Sequence, residues 1–466
     1  MSKKTIEVTS PHDGKVIKKI TLVGKTEVLS ALKKADKIFK NRELWLPKYK
    51  RIEILEKTVS IMESKIESLT KIAATEGGKP YNDSKVEVLR AIGGVKLAIS
   101  HLHSLNGEEI PMGLTAASTN RMAFTTREPI GIAVSISAFN HPLNLAIHQI
   151  VPMIASGCPV IFKPALSTPM SGMNFVEILY KAGLPKPYCQ VLVCEREHAS
   201  LLVTDPRVAY LSFIGSAKVG WYLRSQLSPG ARCALEHGGV APVIIEPDAD
   251  IKMALPLLAK GGYYHAGQVC VSVQRIFAHK SIALEVAKGI AKIAKKLVVG
   301  NPLNKNTEVG PLINPGEVER VSEWVDEAKK SGAKILCGGK ALSKYYYEPT
   351  LVYNPSANIK LSKQEVFGPV VCVYEYENLE DAIKEANSLP YAFQASVFTQ
   401  NIDSMINISQ KLNATAVMVN DHTAFRVDWM PFGGRDQSGI GMGGIPYTMH
   451  ETTREKMLVI KSDAIV

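Results

Sequence analysis

The sequence predicts an α/β fold with two doubly wound domains, and three observations carry that prediction. Between 132 and 213, β-rich runs and amphipathic helices alternate strictly, as parallel sheets require. A second alternating series follows Cys270, and two further β-rich stretches, 121–126 and 456–460, belong to neither series. At 466 residues the chain also exceeds what one hydrophobic core usually organises.

The elements follow in order. Apolar residues at 52, 55, 59, 62, 66 and 69 recur with helical spacing, which predicts one long amphipathic helix stopped by Gly77-Gly78-Lys79-Pro80. A second helix is expected over about 82–104. The first series then reads as a strand at 132–136, a helix from Pro142, a strand at 160–162, and a helix over about 169–182 closed by Gly183 and Pro185. Strands at 190–193 and 209–213 complete it, the last feeding a helix. The second series reads as a strand at 275–278, helices at 283–297 and 316–330, and strands at 370–373 and 416–419. The unclaimed stretches 121–126 and 456–460 read as paired edge strands, and exposed edges invite another subunit.

Composition excludes several classes of function. With 46% hydrophobic and 21% charged residues the chain is globular in type. The net charge of +11 comes from lysines spread along helices, without an aromatic-interleaved cluster, so nucleic acid is not the expected partner. The most apolar stretch, 142–163, is broken by Asn144, His148, Gln149 and Pro152, so no membrane span is expected. Seven cysteines, at 158, 189, 194, 233, 270, 337 and 372, contain no Cys-x-x-Cys pair, and no apolar leader follows the polar start. A reducing cytoplasm is the expected location, and no metal site is indicated.

The residues that carry chemistry are short runs far apart. Cys270 lies in Gly-Gly-Tyr-Tyr-His-Ala-Gly-Gln-Val-Cys-Val-Ser-Val (261–273), a small-residue loop suited to an accessible thiolate. Glu236, in Leu-Glu-His-Gly-Gly, stands among small residues where a carboxylate has room to move toward water. Asn140, in Phe-Asn-His-Pro, follows a strand end; its amide reads either as a donor to an oxyanion or as a turn or cap before Pro142. Nucleophile, oxyanion donor and water-activating base are what covalent oxidation of an aldehyde requires, together with a hydride acceptor.

For that acceptor, the pattern Gly-x-Gly-x-x-Gly occurs at Gly439, Gly441 and Gly444. It follows a Pro-Phe-Gly-Gly loop instead of a strand and opens no βαβ unit, so it is rejected as a dinucleotide fingerprint. Phe162-Lys163-Pro164-Ala165 at a strand end and Phe213-Ile214-Gly215-Ser216 at a strand-to-helix junction fit better, the latter offering backbone N–H groups to a phosphate.

These runs together resemble the aldehyde dehydrogenase superfamily over essentially the whole chain, from Ser10-Pro11-His12-Asp13-Gly14 to Pro431-Phe432-Gly433-Gly434. Phe-Asn-x-Pro, Phe-Lys-Pro-Ala, Phe-x-Gly-Ser, Glu-x-Gly-Gly, Gly-Gln-x-Cys and Glu365-Val366-Phe367-Gly368-Pro369 stand in family order. The resemblance implies a Rossmann-variant cofactor domain at 1–117 and 132–237, a catalytic thiol domain at 238–447, and a β-strand oligomerisation arm at 118–131 and 448–466, in a homodimer or homotetramer. It makes Cys270 the nucleophile, Asn140 the oxyanion amide and Glu236 the base that hydrolyses a thioester. It makes Lys163 and Ala165 the adenosine-ribose side, Gly215 and Ser216 the pyrophosphate contacts, and Glu365 with Phe367 the nicotinamide-ribose clamp for NAD or NADP.

Departures from the family pattern narrow the substrate. Leu166 stands where many NAD-preferring members carry a glutamate, which removes repulsion toward a 2′-phosphate and admits NADP. His237 and Val240 replace a usual leucine and lysine beside the base, and Met442-Gly443 replaces a frequent Arg-Glu. Val269 stands where branches acting on phosphorylated aldehydes often place an arginine, which argues against the non-phosphorylating glyceraldehyde-3-phosphate type. Glu236 argues against the coenzyme-A-acylating type. Arg426 reads either as a clamp for a substrate carboxylate or as an ion pair with Asp428 or Asp421, and His141 either as a substrate contact or as a packed or capping histidine. The context of Cys270 most resembles lactaldehyde- and succinate-semialdehyde-type enzymes, so the expected substrate is a small polar or anionic aldehyde.

Overall fold

A computed structural model describes residues 4–465; the outermost residues of the expected segments 1–117 and 448–466, namely 1–3 and 466, lie outside the described residues. Two parallel sheets organise the chain. One runs Gly439–Ile440, Arg232–Glu236, Val208–Ile214, Ile132–Ile136, Val160–Lys163, Cys189–Val191, parallel throughout except where Gly439–Ile440 pairs antiparallel with Glu236 and Leu235. The other has seven strands, in the order Lys334–Cys337, Thr350–Tyr353, Val370–Tyr376, Arg275–His279, Pro242–Ile245, Gln394–Phe398, Ala416–Val419, with only its first pair antiparallel. The glycines rejected as a dinucleotide fingerprint thus begin a short strand that wraps back onto the first sheet.

Register explains where function gathers. Ile136 is level with both Lys163 and Phe213, and Ile214 is level with Glu236, so four strands of the first sheet end along one edge. In open α/β sheets ligands bind beyond the carboxyl ends of the strands. Asn140, Lys163, Gly215, Ser216 and Glu236 all lie at or just beyond that edge.

The helix Pro142–Ser156 follows the first of these strands and is buried along all of its 15 residues, which is why its sequence is apolar for so long. Its N-terminus lacks a cap from its own N-cap side chain, His141. Instead Glu87, on the helix Tyr81–Leu102, accepts the N–H groups of Leu143 (2.9 Å) and Asn144 (3.0 Å). The carboxylate offsets orphan donors and the positive end of the dipole. Lys79 pairs with this buried glutamate and also reaches the Asn140 carbonyl at 3.4 Å. The turn that carries Asn140 is therefore fixed from a neighbouring helix.

One expectation fails. The apolar spacing from 52 to 69 forms two helices, Lys48–Glu63 and Ile66–Gly77, because Lys65 adopts a non-helical φ/ψ of −121°/14°. Both pieces pack on Tyr81–Leu102, and the break lets each present its own apolar face. The strand expected at 190–193 is shorter and earlier, Cys189–Val191. The two unclaimed stretches pair as expected: Arg121–Pro129 and Thr453–Lys461 form an antiparallel ribbon joined at its other side by Glu109–Ile110. Among the described residues no helix is long and apolar enough to cross a membrane, no cluster could hold a metal, and no two cysteines pair.

Candidate active site

Cys270, Glu236, Asn140, His141 and Arg426 line one cavity of about 460 Å3, which continues past Ala165, Gly215, Ser216, Glu365 and Phe367. Of the catalytic, cofactor and substrate candidates, Lys163 alone lies behind the lining, a buried lysine whose ammonium donates to the Pro164 carbonyl at 3.2 Å.

The turn leading to Cys270 is strained. His265, Ala266 and Gly267 all take positive φ (49°, 54° and 70°), a conformation that costs about 1–3 kcal/mol for each residue bearing a side chain. At Gly267 a Cβ would stand 2.0 Å from the Gly368 carbonyl, so only glycine lets the loop pass the 365–369 segment. Gln268 pins the turn by donating to the His265 and Pro311 carbonyls (3.2 Å each) and accepting from the Ile313 N–H (2.9 Å). Its own carbonyl accepts from Asn140 Nδ2 at 2.9 Å. One amide hydrogen thus orients Asn140 toward the cysteine loop and the other is left for a ligand. Asn140 does not cap the helix.

Glu236 ends its strand beneath the glycine loop: a Cβ on Gly443 would stand 2.2 Å from Glu236 Oε1. Burial raises its pKa and the charge of Arg426 opposes that rise. Burial likewise pushes the Cys270 thiol up to about 12, again opposed by Arg426, while Glu365 and Glu236 add to the rise. The resting thiol is neutral, and the one cation among these influences favours its ionisation.

Arg426 does not pair with Asp428 or Asp421, contrary to the structural reading of its sequence context. Asp428 is already engaged by Arg90 in a two-pronged contact (Nη2 to Oδ1 2.6 Å, Nε to Oδ2 3.2 Å) and by His148 Nε2 at 2.8 Å. Burial alone would raise the Asp428 pKa, but hydrogen bonds from His148 and Arg90 hold it below the usual carboxylate range. Burial, assisted by Arg426, lowers His148 to about 4, so the ring is neutral. Its Nε2–H then donates to Asp428, and its Nδ1 accepts from Arg426 Nη2 at 3.4 Å. The guanidinium also stacks 3.5 Å over the Phe432 ring, and its buried Nε has no partner among the described residues. The network points a cation into the cavity without neutralising it.

At the other end Gly215 donates its N–H to the Glu236 carbonyl (3.1 Å), and His237 Nδ1 bonds the Gly215 carbonyl (2.9 Å). The strand carrying the base and the turn carrying Ser216 are thereby tied together. Ser216 stands at the N-cap of Ala217–Ser225 with its hydroxyl uncommitted to that helix.

The aldehyde dehydrogenase family profile matches residues 1–458. The chain belongs to the aldehyde dehydrogenase family. It is an NAD(P)-dependent oxidoreductase. It is 36% identical over 456 residues to a 3-sulfolactaldehyde dehydrogenase of Priestia aryabhattai, covering 98% of this chain and 94% of that one. Aldehyde dehydrogenase 21 of Physcomitrella patens, solved with the reaction product succinate, superposes with a TM-score of 0.96 at 32% identity, covering 100% of this chain and 96% of that one. A glyceraldehyde-3-phosphate dehydrogenase of Methanocaldococcus jannaschii complexed with NADP gives 0.93 at 36% identity, covering 99% and 100%.

Toward Glu365 and Phe367 the cavity of this aldehyde dehydrogenase offers groups that could hold a dinucleotide. Glu365 Oε1 is buried without a partner among the described residues, and burial raises the carboxyl to about 8 against the Gly239 N–H. A buried carboxyl with one oxygen left unpartnered suits a ribose hydroxyl. Phe367, at φ 46°, packs edge to face on Phe139 with centroids 5.8 Å apart. Sequence reading did not single out Arg90 or Tyr264, named Asp428 only as a candidate partner of Arg426, and noted His148 and Asn144 only as polar breaks in an apolar run. Their spacing of four, on one face of a buried helix, was the available signal.

Proposed function

We propose that the protein oxidises a small polar or anionic aldehyde to its acid with NAD or NADP through an acyl-enzyme on Cys270. The observation that carries this reading is the convergence of Cys270, the free hydrogen of the Asn140 amide, Glu236 and the uncompensated guanidinium of Arg426 in one cavity. Cys270 loses its proton, favoured by Arg426, and its sulfur bonds the carbonyl carbon. Asn140 Nδ2 donates to the resulting oxyanion. The bound dinucleotide supplies the hydride acceptor. Glu236 then takes a proton from water as that water attacks the thioester, and Cys270 departs as thiolate.

Glu365 and Phe367 would hold the nicotinamide side, Gly215 and Ser216 the pyrophosphate, and Lys163 and Ala165 the adenosine side. Leu166 supports NADP as well as NAD: its side chain packs into a small apolar cluster with Val8 and Val193, and Lys163 lies close enough to Arg196 to feel its charge. An anionic substrate fits Arg426, and the sulfonate- and carboxylate-bearing compounds in the names of the relatives are of that kind. A phosphorylated aldehyde is the second reading, favoured by the likeness to the NADP-bound glyceraldehyde-3-phosphate dehydrogenase and opposed by Val269.

The same reading gives 1–117 and 132–237 to the cofactor, 238–447 to the thiol, and 118–131 with 448–466 to subunit contact in a homodimer or homotetramer. Its support is the free outer edge of Thr453–Lys461, where Met457, Leu458, Val459 and Ile460 are all exposed. The test is a kinetic screen of lactaldehyde, succinate semialdehyde, glyceraldehyde 3-phosphate and uncharged aliphatic aldehydes, each with NAD and NADP. Aldehyde-dependent formation of reduced cofactor is expected, and its absence across the panel overturns the reading.

A further inference from the structure

Between Asn140 and the mouth of the helix Ile251–Tyr263, the cavity carries a second polar pair that the chemistry above leaves unused. His141 Nε2 and the Tyr264 hydroxyl are 3.1 Å apart, and both residues line the cavity that holds Cys270. Tyr264 packs its ring against His265 and His141, with centroid separations of 6.4 Å and 6.0 Å. The Lys260 ammonium lies 5.0 Å from the centroid of the same ring.

We propose that His141 and Tyr264 together read a hydroxyl on the carbon next to the aldehyde, making 2-hydroxyaldehydes the preferred substrate class. The inference rests on the aldehyde-oxidising reading above. It follows from counting hydrogens. A neutral histidine carries one N–H and a tyrosine one O–H, and their mutual contact consumes one of the two. With His141 Nε2–H donating to the tyrosine oxygen, the Tyr264 O–H stays free and a lone pair remains beside it on the same oxygen. A substrate hydroxyl offers one donor and two acceptor lone pairs, the complement of that remainder. Neighbouring Lys79 and His265 add to burial in holding the His141 pKa well below its ordinary value, so the count of one N–H applies.

Position makes the assignment specific. His141 is the residue after Asn140, about 3.8 Å away along the backbone, and Asn140 donates to the oxygen of the reacting carbonyl. A group one bond from that carbonyl carbon lies beside the residue next to the oxyanion donor. Leu145, Val269, Val271 and Phe432 on the same wall are apolar and offer a hydroxyl nothing, and the polar Arg90 and Asn144 direct their N–H groups to Asp428. Arg426 is left to take an anionic group farther along the substrate.

The test compares lactaldehyde with propanal, which differ only in that hydroxyl, using kcat/KM for each in the wild type, in Tyr264→Phe and in His141→Phe. A ratio within one preparation cancels any loss of folded enzyme. The wild type is expected to favour lactaldehyde by about tenfold or more, and each variant to bring the ratio to within about twofold of unity. A wild-type ratio near one, or a ratio that survives both substitutions, overturns the assignment while leaving aldehyde oxidation intact. Oxidation of neither aldehyde, nor of any other in the screen, overturns the reading beneath it instead.

Discussion

Around Arg426 the polar groups hold one another through side chains, whereas around Glu365 and Ser216 they are backbone turns and a carboxyl with one oxygen left unpartnered. At the first end Asp428 engages Arg90 and His148, and His148 in turn meets Arg426, linking a helix, a buried helix and a loop. At the second, Gly215 is set by the Glu236 carbonyl and by His237, and Glu365 Oε1 waits buried. Around Arg426 the groups are fixed by neighbouring side chains, with Nε left unpartnered, while around Ser216 and Glu365 a hydroxyl and one carboxyl oxygen stay uncommitted. On the proposed reading this suits one end to stabilising charge that develops during reaction and the other to holding a large cofactor that must leave after each turnover.

Substitutions should separate the two ends by size and kind of effect. Cys270→Ala is expected to lower kcat by about 10⁴ or more with the dissociation constant of the cofactor little changed, measured by reduced-cofactor formation and by fluorescence titration. Asn140→Ala is expected to lower kcat by about 10²–10³, as loss of an oxyanion donor does elsewhere. Arg426→Leu should cost an anionic aldehyde such as succinate semialdehyde at least about tenfold more in kcat/KM than a neutral one; equal losses would return Arg426 to a structural role. Glu365→Gln should act on the other end, raising the KM for the cofactor by about tenfold, and an unchanged KM would break the contrast.

The smallest effect concerns pH. Because burial raises the Cys270 thiol to about 12, its alkylation by iodoacetamide in the free enzyme should climb steadily with pH from 7 to about 9, without a plateau. Arg426 favours the thiolate, so Arg426→Leu should slow alkylation at every pH in that range; faster alkylation would reverse the assigned sign.

What could be read from sequence and what could not divide along the same line. Cys270, Glu236, Asn140, Gly215 and Ser216 each sit in a short run whose local chemistry is unusual, such as a glutamate between small residues, whereas Glu365 was reached only through the family motif that contains it. The alternating strands were legible for the same reason, since period and turn residues are local properties. The pairing of Asp428 with Arg90 instead of Arg426 was not, because Arg90 is ordinary in its own stretch and gains meaning only through a contact spanning 338 residues. The pairing of Lys79 with Glu87 beneath Asn140 was hidden likewise: a lysine in a Gly-Pro turn and a glutamate on the following helix look solvated until burial is known. The break at Lys65 escaped notice because the apolar spacing runs straight through it.

Trapping the acyl group tests the central claim most directly. Glu236→Gln, incubated with NAD or NADP and an oxidised aldehyde, quenched in acid and analysed by intact mass and peptide mapping, should form about one equivalent of reduced cofactor and retain the acyl group on Cys270. Turnover without an acyl group, or an acyl group on another of the seven cysteines, would contradict the account.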